Sequence, residues 1–299
     1  MTAVGSSTGT DLDHDHDLGG LTGLPGMEPV TDQLALWIAV VRAERSRRQA
    51  GVEILRPGWK NLVFTGGPGS GKTRAAKAIA RIYHELGLLS YGNLREVPAA
   101  DLAGTTPRET GELIGETVRR AVGELVMIPD AHAWSGLHDR GQHVLRCLYQ
   151  ELTYSRDHLG GQLAVILAGQ AAPLRGMLAA SPALAARFPA VIDFPGYTAA
   201  QLAGIFATLA GEAGFTLTPA AVRKAAGVLA QADRGHGSGN ARLAVRLLDQ
   251  VTASQARRIT AASHSPDPTT LSTIRATDIP EHVQPSDTPG GDQWPGQYL

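Results

Sequence analysis

The chain has 299 residues, a formal net charge of −1 at pH 7 and a single cysteine. This length predicts one or two domains with a sizeable core, and the near-neutral charge gives no general attraction to nucleic acids or anionic membranes. One cysteine excludes an internal disulfide and is typical of a reducing compartment. No signal peptide is recognisable, and the longest apolar helix candidate is too short to span a bilayer. We therefore expect a cytoplasmic protein that binds no nucleic acid and inserts into no membrane.

Both ends of the chain are polar and lack hydrophobic periodicity. Residues 1–20 consist mainly of Gly, Ser, Thr, Asp and His, and residues 281–299 are rich in Pro, Gly and Asp. Such segments bury too little apolar surface to fold, so both are predicted to be disordered tails. The run DHDHD at residues 13–17 contains metal-binding residue types, but no scaffold fixes their geometry, and a solvated acidic tail is the favoured interpretation.

An amphipathic helix is predicted after the first tail. It would begin at Pro29 or Thr31. Leu34, Ile38 and Val41 recur at helical spacing, so they are expected to line one buried face. The arginines at its end are interpreted as a solvated helix terminus, which basic residues favour, rather than as a nucleic-acid site.

The segment 66–73 reads GGPGSGKT and fits the phosphate-binding pattern G-x-x-x-x-G-K-[ST]. It stands between an apolar strand candidate, residues 61–66, and a helix candidate, as this motif requires. Its glycines let backbone N–H groups face an anion at the positive end of that helix. Lys72 can then reach the β and γ phosphates, and the Thr73 hydroxyl can bind Mg²⁺. The predicted nucleotide-binding residues of this segment are Gly66, Gly67, Pro68, Gly69, Ser70, Gly71, Lys72, Thr73 and Arg74.

Strand and helix candidates alternate after this P-loop. The further strands are predicted at residues 94–98, in a segment that ends near Pro129, at residues 162–169 and at residues 190–195. With the strand before the P-loop they predict an α/β fold, in which a five-stranded parallel sheet is flanked by helices.

The hydrophobic period changes after the fifth strand. From Gly196 the strands are predicted to stop, and helices extend to about Ala262. We therefore place a domain boundary near Pro195, between an α/β domain at residues 21–195 and a small helical domain at residues 196–280.

Six blocks of the sequence match one known family in order and with similar spacing: NLVFTGGPGSGKT, RIYHELGLL, VILAG, SPALAARFP, IDFPGYT and GSGNARLAVRLLD. On these blocks the chain resembles the CbxX/CfxQ family of AAA+ ATPases. That family includes the red-type Rubisco activase, stage V sporulation protein K and the ATPase domain of EccA. The resemblance implies a P-loop AAA+ domain with a helical lid, ATP and Mg²⁺ as ligands, a homo-oligomeric ring, and an unidentified client protein that the ring remodels.

The resemblance also implies roles for single residues. Leu24, Gly26 and Met27 match the stretch that covers the adenine. Arg242, in the GNAR sequence of the lid, matches the sensor 2 arginine, which would contact the γ-phosphate and report its loss as a lid movement.

Arg187 matches an arginine that such rings present to the nucleotide of the neighbouring subunit, where it would stabilise charge that develops in phosphoryl transfer. The family usually has two arginines here, spaced as R-x-R, and this chain has Ala185 at the first position. Arg187 therefore matches either the catalytic or the structural member of the pair.

The chain departs from the family at the end of the third strand. The family has Asp-Glu after the apolar run, and this chain has Pro129 and Asp130. Direct register puts Pro129 on the Mg²⁺-associated aspartate and Asp130 on the water-activating glutamate, whereas a one-residue slip gives Asp130 the metal role. In both registers one carboxylate remains where two are expected. The predicted catalytic residues are thus Asp130, Arg187 and Arg242. Thr73 and Asp130 are the predicted metal ligands, while His132 is expected to pack.

The chain also departs from the family in the expected pore loop. Thr106 takes the position of the aromatic residue that grips a threaded polypeptide, so the sequence leaves open whether a polypeptide is translocated through a pore. Gln170 follows the fourth strand where relatives often have tyrosine.

Three functions follow from this sequence. The favoured one is an AAA+ ATPase that hydrolyses ATP slowly as a ring and remodels a partner protein. The second is a nucleotide-gated binding or scaffold protein with little or no hydrolysis, which the loss of a carboxylate would explain. A P-loop kinase is the third, and it is disfavoured because it needs neither the GNAR element nor the lid.

Overall fold

The computed structural model describes residues 21, 25–52, 59–158, 160–232, 240–261 and 267–284. The predicted N-terminal tail with its DHDHD run, Leu24 of the adenine stretch, and residues 285–299 of the predicted C-terminal tail lie outside the described residues. None of the helices in the described part is long and apolar enough to cross a membrane.

A five-stranded parallel sheet forms the centre of the first domain. Its strands stand in the spatial order β2-β3-β4-β1-β5. Strand β1 lies between β4 and β5 and is buried along its whole length, which explains its continuous apolar sequence. The prediction of a five-stranded parallel α/β fold is therefore confirmed. The strands are β1 (Leu62–Thr65), β2 (Leu94–Glu96), β3 (Leu125–Ile128), β4 (Ala164–Gly169) and β5 (Ala190–Asp193).

Helices connect these strands and cover both faces of the sheet. Helix α1 begins at Glu28, with Pro29 in its first turn, and it buries the predicted stripe of Leu34, Ile38 and Val41 together with Val30. The helices of this domain are α1 (Glu28–Gln49), α2 (Lys72–Glu85), α3 (Pro107–Arg120), α4 (Asp139–His158), α5 (Ala171–Ala179) and α6 (Pro182–Ala185).

The two faces of the sheet belong to different hydrophobic clusters. On β3, Leu125 and Met127 pack in a cluster with α1, α2 and the second domain. Val126 and Ile128 pack in the other cluster, with α3 and α4. This alternation follows from the two-residue period of a strand, and it determines which side chains at the strand ends can face the P-loop helix α2.

The second domain is a helical lid that contains a small sheet. Its first helix begins at a capping box, in which Thr198 and Gln201 exchange side-chain and backbone hydrogen bonds. The prediction that strands stop at Gly196 is wrong, because β6 pairs in parallel with β7. Each of these strands has two residues, which is too short to produce a periodic signal. The lid elements are α7 (Ala199–Glu212), β6 (Thr216–Leu217), α8 (Pro219–Ala232), α9 (Ala241–Thr260), α10 (Pro268–Ser272) and β7 (Thr273–Ile274).

The ordered contacts of the lid extend past its predicted end at residue 280. Glu281 forms a salt bridge of 2.6 Å with Lys224 of α8. Gln250 of α9 donates to the Gln284 carbonyl at 3.1 Å and accepts from the Gln284 N–H at 3.2 Å. Residues 281–284 therefore pack on the lid.

A buried tyrosine joins α1 and α2 to the segment before β1. The Trp37 Nε1–H donates to the Tyr83 hydroxyl at 2.6 Å, and this hydroxyl donates to the Lys60 carbonyl at 3.0 Å. Tyr83 is fully buried, and its burial raises the pKa of the phenol, so the hydroxyl remains a donor.

We expect Tyr83→Phe to lower the free energy of unfolding by about 1–3 kcal/mol, because it leaves the indole N–H of Trp37 and the carbonyl of Lys60 without their partner. Urea unfolding followed by circular dichroism measures the change. Tyr91→Phe is the matched control, since Tyr91 is 57% exposed, and it should change stability by less than about 0.5 kcal/mol. Equal effects of the two substitutions would contradict this account of the hydroxyl.

Candidate nucleotide-binding site

The P-loop lies between the end of β1 and the start of α2, and its first glycine leaves no room for a side chain. At Gly66, a Cβ atom would lie 2.5 Å from the Phe194 carbonyl oxygen. Gly71 has φ +95° and ends the loop directly before α2. The glycines are needed because the loop turns in left-handed conformations and is packed closely against the chain that follows β5.

Lys72 directs its ammonium group into the loop. Its Nζ donates to the carbonyls of Gly66 at 2.9 Å and Gly67 at 2.6 Å, and it lies 3.3 Å from the Ser70 hydroxyl. Burial lowers the pKa of Lys72 to about 8; the Asp130 charge raises it and the Arg242 charge lowers it further. A partly buried cation among neutral acceptors is stabilised by an incoming anion, which is what a phosphate-binding loop requires.

The predicted residues Asp130 and Arg242 both lie close enough to Lys72 for their charges to shift its pKa, Asp130 upward and Arg242 downward. Asp130 follows β3 and has a left-handed backbone with φ 53°, which aspartate tolerates better than most residues. Arg242 lies in the first turn of α9, in the lid. The structure therefore brings together one cation of the loop, one carboxylate of the sheet edge and one cation of the lid, and their catalytic roles stay predictions.

The predicted adenine stretch also lies beside the P-loop. Gly26 has φ +81° and packs against Gln201 of α7. The side chain of Met27 is buried, and its sulfur accepts a 3.1 Å hydrogen bond from the Tyr197 hydroxyl. A Cβ at Gly71 would lie 3.3 Å from this methionine. Residues 26 and 27 thus border the end of the loop that precedes α2, and adenine contact stays a prediction.

Arg74 lies in the first turn of α2, on the same side of the site. Burial raises the pKa of Tyr197, and the positive charge of Arg74 opposes this shift. The arginine is therefore close to the border between the P-loop helix and the lid.

The sequence did not reveal Asn240, which connects the lid directly to the P-loop. Its Nδ2 donates to the Pro68 carbonyl at 2.8 Å, and its Oδ1 accepts from the Tyr197 N–H at 3.2 Å. The next residue, Ala241, donates its N–H to the Gly69 carbonyl at 3.1 Å. Asn240 has φ 45°, an uncommon conformation for a residue other than glycine, and it directly precedes α9. The position before the arginine in GNAR is the signal that could have indicated it.

A second residue that the sequence did not reveal is Glu96, at the end of β2. The Thr73 hydroxyl, one of the predicted metal ligands, lies 3.5 Å from its carboxylate Oε2. No described group of three or more His, Cys, Asp or Glu side chains is arranged to hold a metal. Mg²⁺ at a nucleotide site needs fewer protein ligands, because phosphate and water oxygens complete its shell. The oxygen donors Thr73, Asp130 and Glu96 fit this requirement.

Arg187 lies at the opposite end of the sheet, before β5. Its carbonyl accepts a hydrogen bond of 3.0 Å from Asn61, the residue before β1. Its guanidinium lies over the rings of Trp59, at 4.6 Å, and Tyr149, at 4.8 Å, and it donates to the Tyr149 hydroxyl at 3.2 Å. In its own subunit the side chain therefore packs away from the P-loop, and action on a neighbour's nucleotide stays a prediction.

Thr106 and His132 have local contacts that account for their positions. Thr106, at the expected pore-loop position, caps α3 by accepting a hydrogen bond from the Glu109 N–H at 3.2 Å. His132 lies against the end of β4: its Nδ1 is 3.4 Å from the Gln170 N–H, and a Cβ at Gly169 would lie 2.6 Å from it. Gln170 itself is exposed. The contacts of His132 are those of a packing residue, as expected.

Comparison with known proteins first identifies the class. Residues 62–195 match the model of the ATPase family associated with various cellular activities (AAA), and residues 198–289 match that of the AAA lid domain. The solved AAA domain of FIGL-1 in complex with ADP shares the fold: the TM-score is 0.52 at 14% identity, over 80% of this chain and 78% of the other. The chain is an AAA+ ATPase, with a nucleotide-binding domain and a helical lid.

Two relatives then identify the family. Protein CbbX of Cereibacter sphaeroides is 30% identical over 260 residues, which are 86% of this chain and 82% of the relative. Stage V sporulation protein K of Bacillus subtilis is 28% identical over 204 residues, which are 68% of this chain and 61% of the relative. The chain belongs to the CbxX/CfxQ family of AAA+ ATPases, which confirms the predicted resemblance and argues against a P-loop kinase.

The pKa of Lys72 predicts a pH dependence of nucleotide binding. Bound phosphates raise the pKa of this ammonium above its free value of about 8, so the contribution of the charge is complete below pH 8 and is lost as the pH rises above it. We expect the dissociation constant of a fluorescent ATP analogue to rise about tenfold from pH 7 to pH 9. The control is Lys72→Arg, whose guanidinium stays charged, so its weaker binding should not change over this range. A flat profile of the natural protein would contradict the assignment.

The contacts of Arg187 predict a loss of stability on truncation. Arg187→Ala should lower the free energy of unfolding by about 1–3 kcal/mol, because it removes two cation–π contacts and a hydrogen bond. Arg156→Ala is the matched control, since the exposed Arg156 also stacks on Trp59 but lies over no second ring, and it should cost less than about 1 kcal/mol. Unchanged stability of Arg187→Ala with reduced ATP turnover would instead favour the role in a neighbouring site.

Proposed function

We propose that the chain binds Mg-ATP at the P-loop, hydrolyses it slowly as a homo-oligomeric ring, and uses the resulting lid movement to remodel a partner protein. The observation that carries this proposal is the contact of the lid with the P-loop through Asn240, beside the Lys72 ammonium. A change in phosphate charge at the P-loop would therefore affect Asn240 and Ala241, which bond to the loop at the start of α9.

The lid can respond to the nucleotide in two ways. Arg242 and Lys72 repel each other in the free protein, and a γ-phosphate between them would attract both. Loss of that phosphate would remove the attraction while the hydrogen bonds of Asn240 and Ala241 keep α9 attached to the loop. This arrangement supports a lid that pivots about its contact with the P-loop, rather than one that dissociates.

Slow hydrolysis is proposed because β3 is followed by Pro129 and a single carboxylate, Asp130. Proline can neither bind a metal nor activate water. Removal of a catalytic carboxylate commonly costs orders of magnitude in rate while substrate binding persists. The same observation supports the second candidate, a nucleotide-gated binding or scaffold protein that hydrolyses little or no ATP.

Assembly into a ring is supported by the surface near β5. This edge strand exposes Val191 at 43%, and the neighbouring helix α1 exposes Leu36 at 70% and Val40 at 51%, one turn apart. Helix α1 is joined to the strand by the Gln33 side chain, which accepts from the Asp193 N–H at 3.1 Å. An exposed apolar area beside an unpaired strand edge is typical of a surface that another subunit covers. Arg187 lies at the opposite end of the sheet from its own P-loop, so a contact of its guanidinium with a nucleotide would be in the site of another subunit.

The remodelling mechanism is proposed to depend on the lid and not on a threading grip. At the expected pore-loop position, Thr106 is short, polar and used as a helix cap. A bulky side chain that could hold a moving polypeptide is therefore missing at that position. Partner remodelling by movement of domains fits this residue better than translocation.

Steady-state ATP hydrolysis tests the proposal. We expect Mg²⁺-dependent turnover below about 1 per second that rises with protein concentration, together with an ATP-induced increase in mass by light scattering. Lys72→Ala is the control without ATP binding, because the lysine is a phosphate ligand and not a core residue. Turnover no greater than that of Lys72→Ala, with ATP still bound by the natural protein, would favour the binding module. Full activity of a strict monomer would exclude the ring.

A further inference from the structure

Strands β2 and β3 lie side by side, and the chain after β2 follows the end of β3. Glu96 stands opposite Met127 in the parallel register. The Val97 N–H donates to the Met127 carbonyl at 2.9 Å, and the Ala99 N–H lies 3.3 Å from the Pro129 carbonyl. The last residue of β2 is thus fixed beside the position at which β3 lacks a carboxylate.

Glu96 and Pro129 also share one face of the sheet. Met127 of β3 and Leu94 of β2 both pack in the cluster that contains α2. Alternate residues of a strand point to the same face. Glu96 therefore lies on the same face as Leu94, and Pro129 on the same face as Met127, which is the face that α2 covers. Thr73 lies in the first turn of this helix. A carboxylate from β2 can therefore reach the space toward which residue 129 points.

The carboxylate of Glu96 is available to a cation. It is exposed, and its hydrogen-bonding contact within the described chain is the Thr73 hydroxyl at 3.5 Å. No salt bridge to Glu96 occurs among the described residues, whereas Glu124, at the other end of β3, is paired with Arg95 at 2.7 Å. An anionic group next to the hydroxyl of a P-loop threonine is the donor pair that Mg²⁺ prefers.

We propose that Glu96 supplies the carboxylate that holds Mg²⁺ together with Thr73, in place of the one that β3 lacks at Pro129. This inference rests on the proposed binding of Mg-ATP at the P-loop. In this assignment Glu96 serves the metal, and the metal role does not need Asp130, which favours the direct register at the end of β3. Asp130 then stands at the position of the water-activating glutamate with a side chain shorter by one methylene, so slow hydrolysis is still expected.

The test is the effect of Mg²⁺ on nucleotide affinity, which requires no turnover. The dissociation constant of a fluorescent ATP analogue is measured in Mg²⁺ and in EDTA for the natural protein and for Glu96→Gln. The substitution keeps the shape of an exposed side chain and removes its charge. We expect the tightening of binding by Mg²⁺ to fall at least tenfold, with the affinity in EDTA nearly unchanged. Electron paramagnetic resonance of Mn²⁺ in the nucleotide complex should show that Glu96→Gln also binds the metal ion more weakly.

Glu85→Gln is the matched control. Glu85 is an exposed glutamate at the far end of α2, about 20 Å along the helix from Thr73, and its substitution changes the net charge equally. It should leave the Mg²⁺ effect unchanged. The double variant Glu96→Gln with Pro129→Asp places a carboxylate on the neighbouring strand and the same face, and it should restore most of the Mg²⁺ effect.

The outcomes separate this inference from the function on which it rests. If the natural protein binds no ATP analogue, or binds it equally in Mg²⁺ and EDTA, the proposed Mg-ATP site itself fails. If the natural protein shows the Mg²⁺ effect and Glu96→Gln behaves like Glu85→Gln, the role of Glu96 is overturned while the site stands. If the double variant binds the ATP analogue in Mg²⁺ as weakly as Glu96→Gln does, a carboxylate at residue 129 cannot replace the one at residue 96, and this part of the inference fails.

Discussion

The whole site depends on a positive charge that the fold partly buries. The Lys72 ammonium is held by carbonyl oxygens of its own loop, and burial makes its charged form less stable than in water. A polyanion at the loop relieves this cost, so ligand binding is driven by the same desolvation that lowers the pKa. Asp130 and Arg242 act on this charge in opposite directions, and each belongs to a different part of the molecule. The charge of this one ammonium group therefore interacts with a carboxylate that follows β3 and with an arginine of the lid.

The lid is attached to the loop by its backbone and by one amide side chain. Asn240 bonds to Pro68 and to Tyr197, so it joins the loop to the chain that leads from β5 into the lid. A short amide has donors and an acceptor, which lets it connect two backbone segments that both have unsatisfied groups. Its positive φ shows that this position is determined by the surrounding contacts rather than by its own preference. The same residue therefore contacts both the P-loop and the chain that enters the lid.

The sequence predicted those features that local patterns encode. The P-loop and the strands of the first domain could be predicted from local sequence patterns, whereas Arg242 was predicted from the resemblance of the GNAR block to the family, and its role stays a prediction. Glu96 and Asn240 could not be predicted, because their contacts are with distant segments: Glu96 lies beside Thr73 of α2, and Asn240 bonds to Pro68, 172 positions away in the chain. The strands β6 and β7 have too few residues for a period. Arg187 was placed by its motif, but its environment of aromatic rings comes from distant segments.

One hydrophobic cluster runs through α1, the P-loop face of the sheet and the lid. It includes Leu34 of α1, Ile79 of α2, Phe64 of β1, and Leu202 and Leu247 of the lid. Because these side chains exclude water together, the described part of the lid shares its core with the sheet, and we expect the two domains to unfold as one cooperative unit. A nucleotide that binds at the P-loop, where the two domains meet, would then stabilise both domains against unfolding by mass action. A calorimetric scan would contain one transition, and the ligand would move it as a whole to higher temperature.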